Sequence, residues 1–269
     1  MFKKQYISFF RIRFSNGLQY RIAAYAGIST QFAWGAMNIL MFRAFYRADA
    51  FAFPMEFSQF TSYIWLQQAL LAMFALWFWE KDIFDSITSG NIAYELVRPV
   101  DIYDMWFIRN AAVRLSKVVL RCLPILIVAA FLPEPYNMSP PDSILTFVLF
   151  IAAMILGFLL SIAYCMLFYA MSFYVINSTG VRLFAAATVE FLAGGIIPLP
   201  FFPKNIVAVL ELMPFASMQN TPFWIYTGYI NGEDAIFKIC LQIFWFAALF
   251  LLGKLLIKNA LKKVVVQGG

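Results

Sequence analysis

Histidine is absent from this 269-residue chain, and charged residues make up only 13% of it. The lack of histidine removes the commonest general base and metal ligand of proteins. Soluble chains carry about 25% charged and about 45–50% apolar residues, whereas 63% of this chain is hydrophobic and its mean hydropathy is +0.77. The composition therefore excludes an ordinary soluble domain and leaves few side chains for an enzyme active site.

Cysteine is also scarce, and its three copies lie far apart in apolar stretches, at Cys122, Cys165 and Cys240. These positions have neither the spacing of a metal site nor the pattern of a disulfide framework. We interpret them as small core side chains. No cleaved signal peptide is expected, because basic residues interrupt the first twenty positions before any long apolar run begins.

Long stretches without any charged residue dominate what remains, and three of them are residues 22–42, 57–79 and 143–181. A transmembrane helix needs about 20 apolar residues to cross a hydrocarbon core of about 30 Å. We therefore predict an all-α integral membrane protein with no second globular domain. Its six transmembrane helices are predicted over residues 22–46, 58–79, 105–132, 144–174, 182–202 and 236–258.

The third predicted span is unusual because four basic residues lie in its first half, at Arg109, Arg114, Lys117 and Arg121. We interpret this half as a helix that rises from the cytoplasm into the membrane. Long basic side chains near a helix end reach back to the lipid headgroups. The apolar residues that follow then complete the crossing.

Basic residues are distributed unevenly around the predicted spans. Of the 20 Lys and Arg residues, 16 lie in segments 1–21, 80–121, 175–182 and 254–269. An excess of Lys and Arg marks cytoplasmic segments, so both termini are predicted to be cytoplasmic. The net charge of +6 lies beside spans rather than on one soluble face, which indicates a lipid bilayer as partner and no nucleic acid. Residues 1–21 are predicted to form an interfacial helix, with a frayed basic tail as the alternative.

The predicted cytoplasmic loop at residues 81–101 carries the first informative motif. Residues 82–89 are expected to form a short helix that is ended by Gly90. Residues 96–99 are expected to be extended, because the residue before a proline is disfavoured in the α region. A short rigid element between two spans suits docking of another protein, and a simple connector is the alternative.

A second motif begins at Glu190, an acidic residue within the fifth predicted span. A carboxylate at that depth costs a few kcal/mol, which makes it either a functional group or a structural partner inside the bundle. Gly194, Gly195 and Pro198 follow, and such residues interrupt a helix. Residues 194–233 are too broken to span and too apolar for a solvated loop, so they predict a re-entrant outer segment.

With these two motifs, the chain resembles the permease subunits of ABC-2 type bacterial ABC exporters. The resemblance extends over essentially the whole chain and includes the loop SGNIAYELVRP and the outer turn GGIIPLPFFP. It implies outward transport by alternating access across the bacterial cytoplasmic membrane, but it does not give the substrate class. The 31 Phe residues and the few charges favour a hydrophobic or amphipathic cargo, such as a drug, peptide or lipid. The resemblance also implies a coupling helix that docks on an ATP-binding-cassette ATPase, with docking residues Asp82, Ile83, Phe84, Asp85, Ile87, Gly90, Leu96, Arg98 and Pro99. The candidate translocation or gating residues are Glu190, Gly194, Gly195 and Pro198.

No phosphate-binding motif of the form G-x-x-x-x-G-K-[ST] occurs, since the pair Gly253–Lys254 is followed by Leu255. We therefore expect no catalysis, cofactor or metal in this chain, and ATP with Mg²⁺ on a separate ATPase subunit. One six-span unit also implies a second permease copy, identical or related. The alternatives are a structural subunit of a larger complex, a secondary transporter, which requires inverted repeats, and a membrane enzyme, which requires convergent reactive groups.

Overall fold

The computed structural model describes residues 2–19, 21–175 and 177–262; the remaining residues of the predicted single domain 1–269 lie outside the described part. The described residues form twelve α-helices and no β-strand. The helices are α1 Phe2–Gly17, α2 Arg21–Ala48, α3 Phe57–Ala69, α4 Leu71–Phe74, α5 Lys81–Thr88, α6 Ala93–Leu96, α7 Ile102–Ala130, α8 Ile144–Met171, α9 Ser178–Leu192, α10 Lys204–Leu210, α11 Pro214–Tyr226 and α12 Gly232–Leu261. Short 3₁₀ turns cover Ser172–Tyr174 and Leu199–Phe201.

Helix α8 lies at the centre of the molecule and packs against α11 and α12. Two segments of the described chain are long and apolar enough to cross a membrane, namely Ile144–Tyr174 and Gly232–Leu261. They correspond to the fourth and sixth predicted spans. The all-helical fold is confirmed and fits a membrane protein, whereas the count of six crossings stays a prediction.

Helices α2 and α7 cover the first and third predicted spans, and each is a single helix of 28 or 29 residues. The expectation that the basic residues of α7 reach lipid headgroups is wrong for two of them. Arg109 and Arg114 are only 5% and 1% exposed. Both guanidinium groups bind protein oxygen atoms instead, so the first half of α7 is embedded in the protein.

The second predicted span is not one helix. Helices α3 and α4 end at Phe74, and Ala75 has an extended conformation. The reason is Arg114, which donates hydrogen bonds to the carbonyl oxygens of Met73 at 3.1 Å and Ala75 at 2.8 Å. A guanidinium group thus satisfies carbonyl groups that a continuing helix would have satisfied.

The fifth predicted span, 182–202, is also wrong in its bounds. Helix α9 begins at Ser178 and ends at Leu192, which gives 15 residues and a length of about 22 Å. Gly194 follows with φ of 74°, a left-handed conformation that ends helices and favours glycine. Residues 194–233 then contain α10 and α11, two short helices, and α11 is almost entirely buried. Whether this segment re-enters a membrane stays a prediction.

Several segments that connect helices contact one another through aromatic side chains at one end of the molecule. Phe201, in the 3₁₀ turn after α9, packs on Phe53 of the loop between α2 and α3, with ring centroids 4.8 Å apart. Trp65 of α3 donates a hydrogen bond of 2.8 Å to the carbonyl oxygen of Tyr136, in the loop between α7 and α8. The segment after α9 therefore shares an end with two loops that the charge distribution predicts to be external.

Helix α1 covers most of the predicted interfacial segment 1–21 and packs against α7. Its Tyr6 hydroxyl accepts a hydrogen bond from the backbone N–H of Asp101. An interfacial position stays a prediction. Among the cysteines, Cys165 is buried but Cys240 is exposed on α12, so the interpretation of Cys240 as a core side chain is wrong.

Candidate functional site

The 81–101 loop folds into two short helices. Helix α5 spans Lys81–Thr88, and Gly90 has φ of 76°, so the predicted helix and its glycine stop are confirmed. The predicted extended run 96–99 is wrong at its start, because Leu96 belongs to α6 and Val97 has an α-helical conformation. The proline restriction acts only on Arg98, the residue directly before Pro99, and leaves the preceding residues free to turn.

The apolar side of α5 faces the protein interior. Ile83 and Phe84 are 0% and 1% exposed, and the ring centroid of Phe84 lies 4.8 Å from that of Tyr169 in α8. Phe84 also packs on Trp79, just before the helix. These two predicted docking residues therefore hold α5 to the rest of the protein, and a partner can contact only the other side.

Ion pairs tie the beginning of the loop to α7. Arg109 donates hydrogen bonds to Glu80 at 2.9 Å and to Asp82 at 2.5 Å. The Glu80 side chain is 14% exposed, whereas that of Asp82 is 76% exposed. Breaking a buried ion pair costs more free energy of folding than breaking an exposed one, so Glu80 is the stronger anchor.

Three further hydrogen bonds complete this attachment. Tyr169 accepts the backbone N–H of Glu80 at 3.2 Å and donates to Asn110 at 3.1 Å. Trp106 donates its indole N–H to Glu95, in α6, at 2.6 Å. Sequence reasoning missed these partners, and its only available signal was the opposite charge of Arg109 and the carboxylates before it.

The outward surface of the loop combines apolar and charged groups. Tyr94 and Val97 are 74% and 81% exposed, and Leu96 is also exposed. The other predicted docking residues on this surface are Asp82, Asp85, Gly90, Arg98 and Pro99, while Ile87 is half-buried. Six of the nine predicted docking residues are therefore exposed on the 81–101 loop, whereas Ile83 and Phe84 are buried.

Glu190 lies in the wall of a cavity of about 700 Å³ between α2, α3–α4, the end of α9 and α11. Gly195 also lines this cavity, whereas the described lining does not include Gly194 or Pro198. Most lining residues are aromatic, aliphatic or methionine, and five carry amides: Gln31, Asn38, Gln67, Gln68 and Gln219. Sequence reasoning missed these amides, because four of them lie in apolar stretches predicted as plain membrane helices and Gln219 lies in the predicted re-entrant segment.

The Glu190 side chain is held close to the turn that follows α9. Its backbone carbonyl accepts the N–H of Gly195 at 2.8 Å. A Cβ atom at Gly195 would lie 2.6 Å from the Glu190 carboxyl oxygen, so only glycine fits there without displacing that group. Within the described residues this carboxyl group has no hydrogen bond or ion pair, which favours a functional role over a structural pairing.

Two side chains of α11 hold the turn that follows α9. Gln219 and Asn220 both donate side-chain hydrogen bonds to the carbonyl oxygen of Ala193, at 3.1 and 2.7 Å. Tyr63 of α3 donates to Asn220 at 2.7 Å. The turn beside Glu190 is thus connected to both α3 and α11, so movement of either helix would reach the cavity.

The comparison with family models gives one match that covers most of the chain. The model described as "ABC-2 family transporter protein" matches residues 32–268. This range contains the 81–101 loop, Glu190 and the described lining residues of the cavity except Gln31. A comparison with curated proteins gives no match.

Proposed function

The chain belongs to the ABC-2 family of transporter membrane proteins, and we propose that it is the permease subunit of an ATP-driven exporter. Proteins of this family are transmembrane components that have no ATPase domain of their own and work with an ATPase partner. In our proposal, ATP and Mg²⁺ bind that separate ATP-binding-cassette subunit. The cargo is hydrophobic or amphipathic and moves outward by alternating access.

The observation that carries this proposal is the attachment of the 81–101 loop. A partner that pushes on Tyr94 or Val97 pushes on a loop that Glu80 and Arg109 connect directly to α7. Phe84 extends the connection to α8, the central helix. Such an element suits the transfer of movement from an ATPase to the helices, whereas a mere connector needs no buried ion pair.

The cavity next to Glu190 is our candidate for the cargo site. Gly194 and Gly195 form the turn at its edge. Pro198 leads into the following 3₁₀ turn, in which Phe201 packs on Phe53 at the end predicted to be external. We assign Glu190 to cargo handling, and the turn to gating of the exit. A second permease copy, identical or related, completes the translocation path in the bacterial cytoplasmic membrane.

Co-expression with candidate ATP-binding-cassette ATPases from the same genome tests this function. We expect the purified chain to hydrolyse no ATP alone and the co-purified complex to hydrolyse ATP. Two permease copies are expected in each complex, measured by the mass of the complex. A chain that binds no ATPase would favour the alternative of a structural membrane subunit, and ATP hydrolysis by the chain alone would contradict the assignment of ATP to a separate subunit.

A further inference from the structure

Three glutamine side chains line the cavity and have no hydrogen-bond partner among the described residues. Gln31, Gln67 and Gln68 are 9%, 7% and 7% exposed, and all three belong to its wall. Within the described residues, no hydrogen bond involves any of these three side-chain amides. The other two lining amides differ, because Asn38 donates to the carbonyl oxygen of Trp34 and Gln219 donates to Ala193.

These amides line the cavity, so its occupant is the natural partner for their hydrogen bonds, and an occupant that leaves them unpaired pays the cost of the unmade bonds. Each glutamine offers two N–H donors and one carbonyl acceptor. Three of them in one wall therefore present both donors and acceptors to whatever occupies the cavity. An occupant with hydroxyl or amide groups satisfies both, whereas a bare hydrocarbon chain satisfies neither.

The rest of the wall suits an apolar chain. Trp34, Met37, Leu71, Phe74 and Trp77 contribute hydrophobic surface beside the amides. Methionine and aromatic side chains adapt to flexible apolar groups and add large contact areas. The cavity thus offers two environments, and its ligand has a polar head joined to an apolar body.

Charges around the cavity oppose a charged head of either sign. Glu190 is the single ionisable residue in the described lining, and its carboxylate repels anions. Basic groups lie behind the wall: Lys117 sits 4.8 Å from the ring centroid of Phe78, and Arg114 binds the carbonyl oxygen of Ala75. These cations lie next to lining residues and oppose an ammonium head, because like charges repel.

We propose that this cavity binds an uncharged amphiphile whose head carries hydroxyl or amide groups, held by Gln31, Gln67 and Gln68. That the ligand is the exported cargo rests on the proposed function, but its binding does not. Binding to the chain alone therefore tests this inference separately from ATPase association.

The probe is a monoacylglycerol with a photoactivatable acyl chain, added to the full chain in phosphatidylcholine nanodiscs. Monooleoylglycerol, oleate and oleylamine, which share one acyl chain, compete for labelling. We expect monooleoylglycerol to compete at least about ten-fold more strongly than the two charged analogues, since mismatched polar groups are left unpaired. Equal competition by all three, or labelling that does not saturate, would show that only water or bulk lipid occupies the cavity and would overturn the proposal.

Variants locate the site. Q67L/Q68L is expected to weaken monooleoylglycerol competition by about ten-fold, which corresponds to two lost hydrogen bonds. Q5L, on the exposed face of α1, is the matched control and should leave it unchanged. If the double variant does not fold, Q68E replaces it, because added negative charge should make oleylamine the strongest competitor. Unchanged competition in whichever of these variants folds would contradict the assignment.

Discussion

At the scale of single residues, Arg114 contacts the break in the second predicted span. It is buried in α7 and binds two carbonyl oxygens where the second predicted span stops being helical. Its second terminal nitrogen lies 3.3 Å from the sulfur atom of Cys165. The planar guanidinium group thus joins three chain segments, which a lysine ammonium at the same place would not do.

We predict that R114K lowers the stability of the folded protein by about 1–3 kcal/mol, because at least one buried carbonyl loses its donor. Thermal unfolding in detergent measures the effect. R47K, at the exposed end of α2, is the matched control and should change the midpoint little. An equal midpoint for R114K and the unmodified protein would show that the two hydrogen bonds carry no stability.

A second prediction at this scale concerns Glu190 and the glycine beside it. E190Q keeps the shape of the side chain and removes its charge, so transport should fall while complex assembly and basal ATP hydrolysis persist. G195A should have the same effect, because the added methyl group displaces the Glu190 carboxyl group. G180A is its control, since a Cβ atom there meets no other atom. Normal transport by E190Q would assign Glu190 a structural role only.

Single residues also show where sequence reasoning ends. The glycine stops at Gly90 and Gly194 were predictable, because a left-handed backbone strongly favours glycine. The break at Ala75 was not, since neighbouring residues contain no glycine or proline and its cause, Arg114, lies 39 residues away. Glu190 was predictable as a candidate because it is a charged residue in an apolar stretch. Gln67 and Gln68 carry no charge and were missed.

At the scale of elements, two carboxylates attach α5 to Arg109 of α7: Glu80, directly before α5, and Asp82, within it. Their side chains differ in exposure, so removing each charge should have different consequences. We predict that E80Q increases amide hydrogen exchange in residues 81–88 by about ten-fold or more, because a buried ion pair loses one partner. D82N should change it less than about three-fold, since exposed pairs contribute little. The reverse order would show that Asp82 is the anchor.

The elements were predicted unevenly, for physical reasons. Helices α8 and α12 were predictable from hydropathy alone. A long apolar segment in a membrane must pair its backbone N–H and C=O groups within itself, and a helix does so. Helix α6 was missed, because four residues give no periodic signal and its position depends on the bond between Glu95 and Trp106. Ile83 and Phe84 were predicted as docking residues, but both are buried, and Phe84 packs on Tyr169 of α8, a contact that the sequence of the loop does not reveal.

At the scale of the whole molecule, two ends are distinguished by their contacts. Lys254, near the end of α12, binds Asp104 at the start of α7 with a distance of 3.0 Å. This places the end of α12 beside the 81–101 loop. The aromatic contacts of Phe201 and Trp65 lie with the loops at the opposite ends of these helices. The excess of basic residues predicts that the first end is cytoplasmic.

Thiol labelling tests this orientation. In a background without the three native cysteines, D142C and E134C should react with an impermeant reagent from outside intact cells. S89C and K262C should react only after the membrane is opened. All four positions are exposed, so the accessible side of the membrane and not burial decides the result. Labelling of S89C in intact cells would reverse the proposed topology.

The central claim is that an ATPase docks on the outward surface of the 81–101 loop. The most direct measurement is co-purification of the co-expressed ATPase with Y94D/V97D, whose side chains are exposed and make no contact that holds the fold. F51D is the matched control, because Phe51 is fully exposed in the loop between α2 and α3, at the opposite end. We predict that Y94D/V97D inserts into the membrane normally but loses at least about nine-tenths of the bound ATPase, while F51D retains it. Full retention of the ATPase by Y94D/V97D would contradict the docking assignment.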